Sequence, residues 1–251
     1  MESLNLLNKT IIVTGACGKL GKAMLRMLLQ HEAKVVALDR VPASTRPVVQ
    51  DLLGQYDETR LLYMEMDASN EDEIAAMMEK TVAHFGCIDG MLHSAYSQKP
   101  SSIADFQLEE WNKTVHGTLT STFLLCKHAA RHMAKTGGGS IVTSSSILSV
   151  KPQANNAAYI AAKAGVTAFT KAFAIEAAAD NIRANVIIPG DFKEPESNVN
   201  EAFKQGIAEK TLIGRSGTPV EIAEMVLFLL SDASSYVTGS EFVIDGGYQL
   251  R

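Results

Sequence analysis

Short runs of apolar residues alternate along the chain with longer stretches in which apolar residues recur at helical spacing. The short runs are rich in β-branched residues and continuously apolar, which is typical of parallel strands covered on both faces. Seven of these runs predict strands at 10–15, 33–39, 60–66, 88–95, 139–146, 182–188 and 241–245. The alternation of strands and helices predicts an α/β, doubly wound fold with a seven-stranded parallel sheet and helices on both faces.

Two predicted helices in the second half have distinctive patterns. In 107–134, an apolar residue recurs every four positions, and 157–179 is almost entirely small or apolar. The recurring positions of the first helix are Trp111, Val115, Leu119 and Phe123. Both helices carry apolar residues on more faces than one sheet can cover, which leaves surface for contacts with other chains.

The domain organisation follows from what lies between these elements. No repeat, low-complexity tract or proline-rich linker divides the 251 residues, so we expect a single domain over 1–251. The long irregular stretch is 189–219, which we expect to form a loop region over the substrate.

Composition narrows the classes of partner. The net charge is −5 and no lysine or arginine cluster is present, which argues against nucleic acid and against an anionic membrane surface. The N-terminus lacks the pattern of a signal peptide, and no apolar run approaches the ~20 residues of a membrane span. Cys17, Cys87 and Cys126 are far apart and odd in number, which indicates reduced thiols and a cytoplasmic location.

A glycine-rich segment, TGACGKLG at 14–21, follows the first strand and opens the first helix. Gly15, Gly18 and Gly21 allow a tight turn, close approach of a ligand and close packing against the sheet. Backbone N–H groups at a helix N-terminus favour an anion such as a pyrophosphate. This placement predicts dinucleotide binding in the first unit of a Rossmann fold.

Asp39 ends the second predicted strand, 18 residues after Gly21. A carboxylate at this position accepts hydrogen bonds from the adenosine ribose hydroxyls and repels a 2′-phosphate, which favours NAD over NADP. Lys19 and Arg40 point the other way, because either cation can pair with a phosphate. NADP therefore stays open as the alternative cofactor.

Tyr159 and Lys163 stand four residues apart in the alanine-rich run NNAAYIAAKAG. Four residues are slightly more than one helical turn, so both side chains leave the same helix face. Taken alone, such a pair is most often a half-buried tyrosine beside a solvated lysine. The rest of the chain decides between this interpretation and a catalytic one.

Together these motifs make the chain resemble the short-chain dehydrogenase/reductase family. The resemblance spans nearly the whole chain and includes Ser146, thirteen residues before the tyrosine, and the YxxxK pair itself. The other matching segments are T-G-x-x-x-x-x-G at 14–21, Asp67 after the third strand, IRANVIIPG at 182–190, GRSGTP at 214–219 and VTGSEFVIDGG at 237–247.

The resemblance implies the chemistry of the site. Tyr159 would act as general acid and base, and Lys163 would lower the pKa of the phenol and bind the ribose. Ser146 would hydrogen-bond the reacting oxygen. The cofactor residues implied are Gly15, Cys17, Gly18, Lys19, Leu20, Gly21, Asp39, Arg40, Asp67, Ala68, Ser94, Ala95, Tyr159, Lys163, Pro189, Gly190 and Phe192. The substrate residues implied are Tyr96, Gln98, Ser146, Ile147, Gln153 and Asp191.

Four positions depart from the family pattern. Lys19 replaces a glycine, the segment HSAY at 93–96 replaces NNAG, and Glu194 replaces a threonine. Thr118 stands where the family has the asparagine that completes a catalytic tetrad and orients a relay water. Either the relay has lost its amide, or the local structure has been rebuilt around the threonine hydroxyl, with Gly117 loosening the helix.

The histidines allow two interpretations each. His116 either replaces part of the relay or is an ordinary partly buried histidine, and His93 either lines the nicotinamide side or packs in the core. His128 and His132 are four apart, but no glutamate follows His128 as a zinc motif requires. We therefore expect no metal site.

The sequence thus predicts an NAD-dependent oxidoreductase that interconverts a secondary alcohol and a ketone. The residues of the substrate side are mostly polar, which favours a polyol, sugar or hydroxy-acid. An NADP-dependent carbonyl reductase and a dinucleotide-binding protein without turnover remain alternatives. Family resemblance also implies a homotetramer in which the two long helices pair across two-fold axes.

Overall fold

The computed structural model describes residues 4–195, 197–198 and 200–251. Seven strands form one sheet in the order β3-β2-β1-β4-β5-β6-β7, and every neighbouring pair is parallel. The strands are β1 (Thr10–Thr14), β2 (Lys34–Asp39), β3 (Leu61–Glu65), β4 (Gly90–His93), β5 (Gly139–Ser144), β6 (Ile182–Pro189) and β7 (Glu241–Ile244). The predicted seven-stranded parallel sheet is confirmed.

Eight α-helices connect or follow the strands in the described part of the chain. They are α1 (Lys19–Gln30), α2 (Pro47–Gln55), α3 (Glu71–Phe85), α4 (Leu108–Val115), α5 (Ser121–Met133), α6 (Ala157–Ala177), α7 (Glu201–Lys210) and α8 (Pro219–Leu230). The stretch predicted as one helix over 107–134 is divided by a π-helical turn, His116–Thr120, which lies between α4 and α5. Such a turn inserts extra backbone into a helix and is frequent at functional sites.

Apolar side chains fill both faces of the sheet. Along β1, Ile11 and Val13 belong to the core beneath α1 and α8, whereas Ile12 belongs to the core beneath α3 and α5. Successive residues of a strand point to opposite faces, so a strand covered on both sides must be apolar throughout. This double coverage explains the continuous apolar runs in the sequence and confirms helices on both faces.

The stretch 189–219 is not irregular throughout, as the sequence pattern suggested. It contains α7, whose N-terminus is capped by the Asn200 side chain accepting a hydrogen bond from the Phe203 N–H at 2.8 Å. None of the α7 residues is buried, and its large apolar residues are only Phe203 and Ile207, which form too short a stripe for periodicity to reveal the helix. The positions Glu196 and Val199 of the stretch lie outside the described residues.

The strand order changes direction between β1 and β4, which are neighbours although two strands and three α-helices separate them in sequence. In open α/β sheets, ligands bind outside the carboxyl ends of the strands at this point. In the part of the chain that the structure describes, no helix combines the length and apolar character needed to cross a bilayer.

Candidate active site

A cleft of about 910 Å³ opens beside the point where the strand order reverses. Its wall includes every residue that the sequence predicts for the cofactor, from Gly15 in the glycine-rich loop to Phe192 after β6. It also includes three residues predicted for the substrate, Tyr96, Ser146 and Asp191. The fold therefore brings the predicted cofactor and substrate residues to one place.

The glycine-rich loop turns from β1 into α1 with Gly15 at φ +70°. A Cβ atom on Gly15 would lie 3.1 Å from the Ala95 nitrogen, and one on Gly21 would lie 2.1 Å from the Gly15 oxygen. Gly18 is the N-cap residue of α1 and has no side chain to cap it, which leaves the first N–H groups of the helix free to meet an anion. The loop fits a pyrophosphate group.

Asp39, at the end of β2, is held in place by the loop beside it. One carboxylate oxygen accepts a hydrogen bond from the Cys17 N–H at 2.9 Å and the other accepts from the Val41 N–H at 3.2 Å. Tyr63 on β3 supports the same corner, because its hydroxyl donates to the Val41 carbonyl and lies 3.4 Å from the Cys17 sulfur. The carboxylate is thus fixed on the wall of the cleft.

Three cations line the cleft near Asp39: Lys19, Arg40 and Arg46. Across the described part of the chain, none of the three forms an ion pair with a carboxylate. Arg46 is an addition to the residues that the sequence singled out. These positive charges favour the 2′-phosphate of NADP, whereas Asp39 alone would favour NAD.

Ser146, Tyr159 and Lys163 meet at the wall of the cleft near the end of β5. The Lys163 ammonium is buried and donates a hydrogen bond to the Ser144 carbonyl at 2.6 Å. Burial lowers the pKa of Lys163 to about 7. The nearby Ser146 hydroxyl acts to lower the pKa of the Tyr159 phenol.

The pKa of Tyr159 differs from what the family resemblance implies. Burial raises the pKa of Tyr159 to about 12, because its effect is larger than the lowering effect of the Ser146 hydroxyl. The ammonium of Lys163 points to the Ser144 carbonyl, and its nitrogen lies 5.7 Å from the centre of the Tyr159 ring. These side chains therefore favour the neutral phenol at neutral pH, which is the form that donates a proton.

His93 packs in the core between the cleft and the π-helical turn, 2% exposed. Its Nδ1 lies 2.7 Å from the Thr14 hydroxyl and its Nε2 lies 3.2 Å from the Ser121 hydroxyl. The Thr14 oxygen already accepts from the Ser94 N–H, so its own proton is available for Nδ1 of the histidine. Burial lowers the pKa of His93 to about 3, so the ring is neutral and links β1 to α5.

Thr118 is fully buried on the π-helical turn and does not line the cleft. Its hydroxyl accepts a hydrogen bond from the Ser97 N–H at 3.1 Å and donates to the Ser97 carbonyl at 3.2 Å. A Cβ on Gly117 would lie 2.9 Å from the Ser97 Cβ, so this segment packs closely on the turn. The donor and the acceptor of the hydroxyl are both used. This favours the second alternative, in which the local structure has adapted to threonine.

Replacing Thr118 by asparagine is accordingly expected to lower the free energy of unfolding by about 1–3 kcal/mol, because the amide is left without partners. Thermal unfolding of Thr118→Asn and of a control on the same turn, the half-buried Thr120→Asn, measures the difference. A Thr118→Asn protein that is as stable as the parent and turns over faster would contradict the hypothesis that the local structure is adapted to threonine.

Three residues predicted for the substrate do not line the cleft. Gln98 donates to the Asn156 side chain at 2.8 Å, and Gln153 donates to the Tyr248 hydroxyl at 2.8 Å. Ile147 is buried in a small core with Ile188 and Tyr248. Substrate contact by these three residues stays a prediction, and in this structure their side chains meet other partners. The cleft instead gains Leu38, Val41, Arg46, Met66, Ser69, Ser97, Lys113, His116, Gly117, Ser144 and Ser145.

The segment after β6 closes one side of the cleft. Asp191 accepts a hydrogen bond from the Ser216 hydroxyl at 2.5 Å, and Phe192 pairs with Gly217 in an isolated parallel bridge. Glu194, which replaces the family threonine, forms an ion pair with Lys22 of α1 at 3.4 Å. The segment is therefore tied both to the loop before α8 and to the helix that follows the glycine-rich loop.

The histidine pair of α5 faces α3. His128 bonds the Glu71 carboxylate at 2.9 Å, and His132 lies 3.6 Å from Glu79. Within the described residues, no group of three or more histidine, cysteine, aspartate or glutamate side chains could hold a metal ion. The pair joins two helices, His128 through a hydrogen bond and His132 through a longer contact with a carboxylate.

Comparison with known proteins places the chain in a family. The family model described as enoyl-(acyl carrier protein) reductase matches residues 15–249. The chain is 36% identical over 242 residues to a cis-4-hydroxycyclohexanecarboxylate dehydrogenase of Sinomonas cyclohexanicum, covering 96% of each chain. It is 33% identical over 252 residues to an NAD-dependent glycerol dehydrogenase of Listeria innocua, covering 100% of this chain and 97% of that one.

Solved structures agree with this placement. A short-chain type dehydrogenase/reductase from Mycobacterium ulcerans superposes with a TM-score of 0.91 at 32% identity, covering 98% of this chain and 92% of that one. An NADPH-dependent 3-quinuclidinone reductase from Rhodotorula rubra superposes with a TM-score of 0.89 at 28% identity, covering 100% and 94%. The chain belongs to the short-chain dehydrogenase/reductase family, whose members bind NAD or NADP. It is an oxidoreductase that acts on CH–OH groups.

Proposed function

We propose that this protein interconverts a secondary alcohol and a ketone with NAD as its preferred cofactor and Tyr159 as general acid and base. The observation that carries the proposal is the meeting of Ser146, Tyr159 and Lys163 on the wall that the glycine-rich loop also lines. A phenol, a hydroxyl and an ammonium in one cleft provide a proton donor, a hydrogen-bond donor for the reacting oxygen and a positive charge.

Each of the three side chains has one task in this proposal. The Ser146 hydroxyl donates to the substrate oxygen and fixes its position beside the Tyr159 hydroxyl. In reduction the phenol gives its proton to the developing alkoxide, and in oxidation the phenolate takes the proton of the alcohol. The ammonium of Lys163 favours the negative charge that develops on the phenolic oxygen during this transfer.

The residues of the cleft fit a nicotinamide dinucleotide. The uncapped N-terminus of α1 suits its pyrophosphate, and Asp39 suits the hydroxyls of its adenosine ribose. When bound, the nicotinamide ring accepts or supplies the hydride. We assign Ser94, Ala95, Pro189, Gly190 and Lys163 to the nicotinamide half of the cofactor. The first four line the cleft at the carboxyl ends of β4 and β6, the strands on either side of β5, which leads to Ser146.

The cofactor preference can be tested at Asp39. We expect NAD to bind more tightly than NADP, because a fixed carboxylate facing a phosphate is costly. Asp39→Asn removes the charge and keeps one acceptor oxygen for the Cys17 N–H or the Val41 N–H, which bond different carboxylate oxygens in the parent. It should raise NADP affinity relative to NAD by about tenfold or more, helped by Lys19, Arg40 and Arg46.

Calorimetric titration of both cofactors measures this preference. The matched control is Asp51→Asn, which removes the same charge from an exposed position on α2 and should leave the ratio of the two affinities unchanged. Tighter binding of NADP by the unaltered protein would show instead an NADP-dependent carbonyl reductase, which the three unpaired cations favour.

For the substrate we propose a small polar alcohol, either a polyol or a hydroxy-acid. Tyr96, Ser146 and Asp191 give the substrate side of the cleft two hydroxyls and a carboxylate. The two relatives named above act on glycerol and on a cyclic hydroxy-acid. A panel of polyols, sugars, hydroxycyclohexanecarboxylates and acyl hydroxy-acids, followed by the absorbance of the reduced cofactor, tests the class.

We further propose a cytoplasmic homotetramer of single-domain subunits, in which 189–219 covers the substrate. Its support is an apolar surface shared by α5 and α6, where the Phe123 and Phe169 rings pack edge to face at 6.2 Å and Phe123 is 44% exposed. Ile175 on α6 is 81% exposed. Three cysteines without disulfides accord with a reducing compartment.

Light scattering tests the assembly. At micromolar concentration the parent protein is expected to have the mass of four chains, and Phe123→Glu is expected to have a smaller mass because a charge would be buried between subunits. A parent protein that is monomeric at this concentration would rule out the tetramer.

A further inference from the structure

The ammonium of Lys163 lies near two aromatic rings and forms no ion pair with any described residue. It is 3% exposed, and in the described structure no carboxylate lies within ion-pair distance of its nitrogen. Its hydrogen bond to the Ser144 carbonyl is the contact that satisfies one of its three protons. A buried ammonium with so little compensation is costly to keep charged.

The aromatic ring of Tyr96 provides part of the stabilisation that the buried charge of Lys163 lacks. The Lys163 nitrogen lies 5.2 Å from the centre of the Tyr96 ring and 5.7 Å from the centre of the Tyr159 ring. The two rings are 5.5 Å apart and inclined by 60°, so the ammonium lies against both aromatic faces. An aromatic face within about 6 Å attracts a cation, and the attraction is stronger when the cation is removed from water.

We propose that the aromatic ring of Tyr96 is a positioning group that keeps Lys163 in its ammonium form beside Tyr159. The proposal rests on the proposed function, which gives this ammonium its task in proton transfer. Tyr96 itself reaches the site from the segment after β4 and is 53% exposed, so its ring forms part of the cleft wall.

The other groups around Lys163 do not stabilise its positive charge in this way. His93 of β4 is neutral, and β5 contributes only the Ser144 carbonyl and serine hydroxyls. Asp191, on the far side of the cleft after β6, is bonded to Ser216 and lies 3.8 Å from Lys193. Burial lowers the pKa of Lys163 to about 7, so even a modest change in its surroundings alters the charged fraction at neutral pH.

The ionisation of Lys163 can be measured directly by NMR on the full-length protein with lysine labelled at its side-chain carbon. Lys163→Met identifies the resonance. Tyr96→Phe keeps the ring and should leave the titration midpoint of Lys163 where it is in the parent. Tyr96→Leu removes the ring and should lower the midpoint by about one pH unit. Tyr96→Trp, which presents the most attractive aromatic face, should raise it.

The controls separate this inference from the proposed function. Tyr236 is fully exposed and does not line the cleft, so Tyr236→Leu should leave the midpoint unchanged. A midpoint that is the same in the parent, Tyr96→Leu and Tyr96→Trp proteins overturns the role of the ring. Because the titration needs neither substrate nor cofactor, its result stands whether or not the protein turns over an alcohol.

Discussion

Replacing Tyr159 by phenylalanine is expected to lower kcat by about 10²–10⁴-fold, the range that loss of a general acid or base produces. The ring remains, so its packing against Tyr96 and beside Lys163 is preserved. Only the hydroxyl is lost, together with its electrostatic interaction with the Ser146 hydroxyl. The dissociation constant of the cofactor should therefore stay nearly unchanged, because the glycine-rich loop and Asp39 provide most of its contacts.

Steady-state kinetics on a substrate from the panel, with a binding titration of the cofactor, separates these two effects. Tyr236→Phe removes the same hydroxyl from a fully exposed tyrosine and should leave both constants unchanged. If Tyr159→Phe retained most of the parent rate, another group would have to supply the proton, and the proposed role of Tyr159 would be wrong.

Replacing Gly21 by alanine is expected to weaken cofactor binding by at least about tenfold. The added Cβ would lie 2.1 Å from the Gly15 oxygen and 2.7 Å from the Ala16 Cα. Both neighbours are backbone atoms of the glycine-rich loop, so the loop must move away from α1 to make room. That movement displaces the N–H groups that we assign to the pyrophosphate, and overpacking also costs about 1–3 kcal/mol of stability.

Gly54 provides the matched control for this substitution. It lies in α2, and a Cβ there would have no heavy atom within 4 Å. Gly54→Ala should thus leave cofactor binding unchanged and raise the free energy of unfolding by about 0.5–1 kcal/mol, since alanine favours the helix. Equal cofactor affinities for the Gly21→Ala and Gly54→Ala proteins would contradict the assignment of the loop.

The sheet could be predicted because its strands are covered on both faces. Ile11, Ile12 and Val13 are all buried, and a strand with this environment has a continuous apolar run that no surface element imitates. Helix α7 was not predictable from periodicity, because none of its side chains is buried and only Phe203 and Ile207 mark its apolar face.

The cofactor side of the site was easier to predict than the substrate side. Gly15, Gly21 and Asp39 are fixed relative to one another by β1, β2 and the start of α1, so their spacing in sequence carries over to space. Gln98 and Gln153 lie in irregular segments, where the sequence does not say which partner a side chain meets. Gln153 bonds Tyr248, whose position 95 residues later is set by the packing of the C-terminus.

The π-helical turn shows a further limit of the sequence. Helical spacing of apolar residues runs unbroken from Trp111 to Phe123, yet the backbone changes its hydrogen-bonding pattern at His116–Thr120. The change places the Thr118 hydroxyl against the Ser97 backbone. This contact depends on a loop from another part of the chain, and periodicity contains no information about it.

The central claim is that hydride passes directly between a secondary alcohol and the nicotinamide while Tyr159 carries the proton. The most direct measurement uses an alcohol from the panel with deuterium on its carbinol carbon, followed by mass spectrometry of the cofactor after turnover. The account predicts that the deuterium appears in the reduced cofactor, and that Tyr159→Phe suppresses this transfer while still binding the cofactor. Deuterium that appears in water instead, or a protein that binds the cofactor but transfers no hydride from any alcohol, would contradict it.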